Sequence, residues 1–203
     1  MVRASAITLM VLAGLVSASC KDDAPLEPYA DMIYSVRCDE AQMLGVGCTG
    51  ARHDINAQNG EDGVAVTCSI GANGDSRSLN FRVTKTEGSS SSSIRVENAT
   101  FDINSGLETS TACRMTFTEG ANTYAGDCGP NASSTDQPCQ MSDMMLTMDS
   151  MGNPQVEGDI LCKFMPLQAD PQPTRNREFT HDDSVSNGAE HPFHFRLVFC
   201  SGL

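Results

Sequence analysis

The sequence predicts an all-β domain, an antiparallel β-sandwich stapled by disulfides, with the jelly roll as one form of it. Three observations carry this prediction. Short alternations of apolar and polar residues recur along the chain, clusters of Gly, Asn and Ser punctuate them, and eight cysteines run from Cys38 to Cys200.

The first clear alternation is Gly63–Ile70, where Val64, Val66, Cys68 and Ile70 share one face. After the turn cluster at 71–76, Ser78–Thr84 repeats the pattern through Leu79, Phe81 and Val83. Ile94 and Val96, then Phe101 and Ile103, continue it. They follow the serine run at 88–93, whose low complexity predicts a flexible loop between strands. Further strands are predicted over 112–118, 123–127, 155–164 and 193–200. The segment 139–151 fits two patterns. Met141, Met144, Met145 and Met148 lie at helical spacing between Pro138 and Gly152. As a strand, Met144, Leu146 and Met148 face inward, and Val156, Ile160, Cys162 and Phe164 share that parity across the turn at 152–154. The shared parity favours the strand; the caps keep the helix open. Residues 166–192 read as one long polar loop, a length that belongs to functional or disordered segments.

One disulfide is legible from register. Gly120-Ala121 suits a two-residue type II′ turn, and counting outward sets Phe117 opposite Tyr124, Met115 opposite Gly126 and Cys113 opposite Cys128. A Cys113–Cys128 bridge follows if that pair is of the non-hydrogen-bonded kind. The competing partner is Cys139, which would close the turn-rich segment 129–138 onto Cys128. For Cys38, Cys48, Cys68, Cys162 and Cys200 the order along the chain assigns no partners.

The N-terminus is read separately. Arg3, an apolar run over 7–16 and the small residues Ser17, Ala18 and Ser19 form a secretory signal over residues 1–19. Ser17-Ala18-Ser19-Cys20 resembles the lipobox of bacterial lipoproteins, with Ser17 standing where that family usually carries leucine. The resemblance implies that Cys20 is acylated and becomes the mature N-terminus, and that Lys21 after it directs the protein to the outer membrane. An ordinary cleavage after Ala18, giving a secreted or periplasmic protein, is the alternative. Cysteine arithmetic bears on the choice. Nine is odd, and lipid on Cys20 leaves eight, enough for four bridges in an oxidising compartment. Residues 20–30 then form a charged, proline-spaced tether, and 31–203 a single domain.

The mature chain would carry 12 basic against 26 acidic residues, a net charge of −14, which disfavours nucleic acid and anionic lipid surfaces as partners. The membrane is reached through the lipid alone. Candidate chemistry is sparse. His181, Asp183, His191 and His194 lie in or beside the long loop and form a weak metal set, with solvated loop residues as the plainer reading. The methionines suggest copper(I), but core packing is the better reading of them. The acidic turn at 59–63 lacks the alternating carboxylates of a calcium loop. Asn98 and Asn131 match a glycosylation pattern that a bacterial lipoprotein leaves bare. No hydrolase elbow, zinc-protease motif or phosphate loop is present, so no catalytic residue and no cofactor are assigned. With no Trp and three Tyr, the aromatic platform of many sugar-binding sandwiches is absent. The expectation is a lipid-anchored, non-enzymatic structural or interaction module. The alternatives are a small-ligand or divalent-cation-binding lipoprotein and, third, a carboxylate-based hydrolase.

Overall fold

The structure, a computed structural model, describes residues 26–38, 51–102, 108–110, 112–130, 132, 136–169, 176–180 and 191–202. These form twelve strands: β1 (Tyr29–Cys38), β2 (Ala51–Gln58), β3 (Val64–Asn73), β4 (Ser76–Glu87), β5 (Ser90–Asp102), β6 (Glu108–Ser110), β7 (Arg114–Glu119), β8 (Asn122–Asp127), β9 (Cys139–Met148), β10 (Pro154–Met165), β11 (Arg177–Thr180) and β12 (Phe193–Val198). They make two antiparallel sheets packed face to face. The smaller is β3-β4-β5-β7-β8, a near-continuous meander. In the larger, β2 and β1 lead to a lane shared by β11 and β12, followed by β10, β9 and β6.

Period-2 alternation builds the interior. Val64, Val66, Cys68 and Ile70 of β3 and Leu79, Phe81 and Val83 of β4 are all buried. On β5 the buried set is Ile94 and Val96, then Ala99 and Phe101, a change from even to odd parity. A bulge at Asn98 (φ 55°) makes that switch, and the Asn98 amide donates to Asn80 Oδ1 at 2.9 Å. Ile103 lies outside the described residues. The larger sheet contributes Tyr34, Phe179, Phe193 and Phe195. Edge-to-face contact of Phe117 with Phe179 (4.6 Å) and tilted contact of Phe81 with Phe195 (5.2 Å) join the two layers.

Four sequence expectations need correction. The serine run is not a loop: Ser90–Ser93 pair with Glu87–Thr84, and only Gly88 and Ser89 form the turn. Gly88 supplies the positive φ of 60° that a two-residue turn requires. Serine's weak β preference yields here to a full ladder with β4 and, for Ser92 and Ser93, to pairing with β7 on the other side. Second, the long loop 166–192 contains β11, and the ordered strand β1 begins at Tyr29, inside the expected tether. Both follow from partners distant in sequence. Third, β2 was not anticipated, because only Ile55 and Ala57 are buried on its inward face. Fourth, Met148 is 66% exposed. Segment 139–148 is a strand, but Asp143 (φ 55°) forms a bulge opposite Gly158, so Met141 and Met144 both point inward. Burial then fades through half-buried Leu146 to Met148, the last pair before the hairpin turn. Gly158 makes the room for Met144, since a Cβ there would lie 2.6 Å from its sulfur.

β11 and β12 behave as one strand. Along β1, Ser35 pairs with Thr180 and Met32 with Phe195, so the two registers place Thr180 and Phe193 at adjacent positions. β10 repeats this, with Ile160 opposite Phe193 and Cys162 opposite Phe179. Twelve residues, 181–192, separate these two adjacent positions of one lane in the sequence. Their number is even, so parity is kept, and Phe179, Phe193, Phe195 and Leu197 are all buried.

Three bridges are present among the described residues. Cys113–Cys128 extends the β7–β8 hairpin, whose register is Phe117–Tyr124 and Met115–Gly126, with Gly120 at φ 56°. The Cys128 amide donates to the Cys113 carbonyl at 2.8 Å, so this is a hydrogen-bonded pair, not the non-hydrogen-bonded kind that the sequence argument required. Cys139, the rival partner, bridges instead to its cross-strand neighbour Cys162. Cys68–Cys200 joins the sheets across a separation of 132 residues. Beside it, Ser201 pairs with the β3 edge through Ser201 N to Cys68 O (3.1 Å) and Ile70 N to Ser201 O (2.8 Å). At the opposite edge, Gln168 N donates to Thr123 O of β8 at 2.8 Å. Both edges of the smaller sheet are thus covered by chain leaving the larger one. Cys48 lies outside the described residues.

Two predictions follow from this packing. Deleting 181–192 and joining Thr180 to Phe193 is expected to leave cooperative thermal unfolding within about 4 °C of the parent, the shift that 1 kcal/mol gives a domain of this size. A non-cooperative melt would disprove the continuous lane. In urea, Met144→Ala is expected to cost roughly 2–5 kcal/mol and Met148→Ala less than about 0.5 kcal/mol; equal costs would contradict the bulge.

Candidate functional site

The outward face of the smaller sheet carries a shallow groove of about 470 Å³. Its floor is set by register. Thr67 of β3, Arg82 of β4 and Arg95 of β5 stand side by side, and Thr116 of β7 continues the row beyond the groove. At the usual strand spacing this row is about 14 Å long. The next row contributes Ser69 and Asn80, and Ser201 forms a wall where the C-terminal segment pairs with β3. Phe81 borders the groove but is 3% exposed, with its ring against Phe195 in the core.

The charges here are unevenly matched. Arg95 is held by Glu97 at 2.5 Å, and Arg114, just outside the groove, by Asp127 at 2.9 Å. Arg82 is exposed and has no carboxylate partner among the described residues, although it faces Arg95 directly. Like charges opposite one another on a sheet repel. Asn80 uses its carbonyl for the Asn98 amide, which leaves its amide hydrogens as donors. The arrangement offers donors and positive charge, suited to holding an oxyanion rather than to bond-breaking chemistry.

A second polar cluster sits between the sheets. Ser92 Oγ lies 3.3 Å from His53 Nδ1, and the His53 ring stacks on Tyr34 at 4.8 Å. Tyr34 Oη and His53 Nε2 are buried without a hydrogen-bond partner. Burial pushes the Tyr34 phenol well above its ordinary range. Burial lowers the His53 pKa, against the opposing pull of Glu119 and Glu87, while Lys85 adds to the lowering. The neighbouring cavity, about 10 Å³ and lined by Ile94, Phe117, Phe179 and Phe193, has no room for a substrate. This is a half-buried histidine whose Nε2 is desolvated.

The expected metal set does not assemble among the described residues. His181 and Asp183 lie outside them, and His191 is exposed. His194 places Nδ1 2.9 Å from Asp159 and Nε2 3.8 Å from Glu157, an ion-pairing arrangement on the outer face of the larger sheet. No group of three or more His, Cys, Asp or Glu among the described residues is placed to hold a metal ion. The sequence reading missed Arg82 and Arg95. The signal was available: both lie six residues beyond the Gly88-Ser89 turn, so a hairpin there makes them cross-strand partners.

Comparison with known proteins gives no match: no family model, no curated protein and no solved structure corresponds to the chain. Fold and surface therefore define its class, a disulfide-bridged antiparallel β-sandwich with a polar groove on its smaller sheet.

The half-buried histidine generates a pH prediction. With its pKa in the folded state below the ordinary 6.5, the unfolded chain takes up the proton first. The stability this provides is present above about pH 6.5 and is lost as pH falls toward the folded value. His53→Phe removes the titration and keeps a ring beside Tyr34. Denaturation between pH 8 and 5 should show the parent losing stability relative to this variant as pH drops; a constant difference would disprove the assignment.

Proposed function

We propose that the chain is an exported, lipid-anchored, non-enzymatic interaction module of a bacterial envelope, recognising a polar ligand with the outward face of its smaller sheet. The observation that carries this reading is the groove itself, open to solvent and lined by hydroxyl, amide and guanidinium groups together with the Glu97 carboxylate that pairs with Arg95. Polar donors converging in a concavity of several hundred Å³ are characteristic of recognition sites. The address rests on separate support. Three disulfides among the described cysteines point to an oxidising compartment. The lipobox-like Ser17-Ala18-Ser19-Cys20 supplies the anchor and explains the odd cysteine count. More than one acyl chain on Cys20 gives stable attachment, where a single chain would be marginal.

Cys20→Ala is expected to move the protein from the membrane fraction to the soluble fraction of exported material. Intact mass of the parent should show an acylated N-terminal Cys20. An unmodified N-terminus at Ser19 would remove the anchor from the proposal.

A further inference from the structure

We infer that Arg82, with Arg95 beside it, binds a carboxylate carried on a hydroxyl-rich ligand, that is, an acidic sugar. This rests on the reading of the groove as a recognition surface and names its ligand class. Three features lead to it.

The first is the uncompensated charge. Among the described residues Lys85, Arg95, Arg114 and Arg196 are each held by a carboxylate. Arg82 is left without one, directly opposite a second guanidinium. An anion between the two would relieve their repulsion, and a guanidinium fork matches a carboxylate in two parallel hydrogen bonds. Glu97 neutralises part of this charge, so the groove favours one carboxylate at a time over a dense polyanion.

The second is the set of neighbours. Thr67, Ser69 and Ser201 provide hydroxyls and Asn80 an amide on the same floor and wall. These are neutral partners for hydroxyl groups flanking the charged one, on a floor three strands wide, about 10 Å at normal strand spacing. The third is the missing ring. Phe81 turns inward, and no Trp exists in the chain, so the groove offers no platform for stacking a neutral sugar. Recognition has to come from charge and hydrogen bonding.

The test is calorimetric titration of the purified mature protein with trigalacturonate, maltotriose and sodium sulfate. Trigalacturonate should bind and should weaken as salt is raised. Arg82→Ala should reduce its affinity about tenfold or more, the loss of a charge-assisted hydrogen bond. Arg82→Lys should recover part of it, and Arg114→Ala, on the same face but outside the groove, should change nothing. Circular dichroism checks that each surface variant is folded. Equal binding of maltotriose and trigalacturonate, indifferent to Arg82, would overturn the carboxylate assignment and leave the interaction reading standing. Sulfate binding as tightly as trigalacturonate, with the same dependence on Arg82, would overturn the sugar assignment. No heat with any of the three would overturn the site. None of these outcomes touches the anchor, which the Cys20 experiment decides separately.

Discussion

The last strand of the chain lies in the middle of the larger sheet. β12 has β1 on one side and β10 on the other, and β11 fills the rest of the same lane. Without that lane, β1 and β2 have no connection to β9 and β10, and the sheet separates into two hairpin-like halves. The larger sheet therefore cannot close until nearly the whole chain is present. Such non-local pairing slows folding, because loop-closure entropy is lost before the contacts compensate it. Cys68–Cys200 acts on the same constraint from the other end. It closes a separation of 132 residues, and a chain-entropy account gives it roughly 5 kcal/mol. The bridge and the Ser201 pairing then carry the C-terminal segment over to β3. One lane thus sets the order of the larger sheet and the wall of the groove on the smaller.

The groove depends on two local irregularities in the β4–β5 ladder. The tight turn at Gly88-Ser89 fixes the register that sets Arg82 against Arg95. Farther along, the bulge at Asn98 shifts the register, and Glu97, just before it, sits beside Arg114 of β7. A regular ladder through that point would turn Ala99 and Phe101 to solvent, because both follow the parity set by the bulge. The core and the groove are therefore consequences of the same inserted residue. Asn suits the position, since it tolerates the left-handed backbone conformation better than most residues.

What the sequence makes legible follows from how local each signal is. β3 and β4 are readable because four and three apolar residues alternate without interruption. The Cys113–Cys128 hairpin is readable because a glycine at the first turn position determines the register of everything outward from it. Bulges break this logic. Asp143 reverses the parity of Met144 relative to Met141, and nothing in the local composition marks it. The serine run hides a strand because its ladder is stabilised by neighbours on both sides rather than by its own side chains. That concealment extends to the candidate site, since the pairing of Arg82 with Arg95 exists only if the run is a strand. β1 alternates through Ala30, Met32, Tyr34 and Val36, but it begins within a stretch whose charge and prolines read as tether. β11 is four residues long and owes its place to the lane it shares with β12.

Charge and tether together bear on how a lipid-anchored module of this kind would present its groove. Glu27 accepts a hydrogen bond from the Asn59 side chain at 2.9 Å, and the Asn59 amide donates to the Pro28 carbonyl at 2.8 Å. The segment entering β1 is thereby tied to the turn after β2, and six residues, 21–26, separate that tie from Cys20 in the sequence. Six residues reach at most roughly 20 Å. Charges in physiological salt are screened over about 8 Å. An extended spacer of that length exceeds the screening distance, so the acidic surface would not be pressed against anionic lipid heads. The outer face of the larger sheet carries Asp31, Glu157 and Asp159, partly offset by Arg196. The smaller sheet carries Arg82, Arg95 and Arg114 on the opposite side of the sandwich, the last two offset by Glu97 and Asp127. If the bilayer does repel one side, it is the acidic one, and its repulsion acts on the sheet that does not hold the groove. The short spacer is then sufficient, because nothing in the distribution of charge requires the domain to reorient before a ligand reaches Arg82.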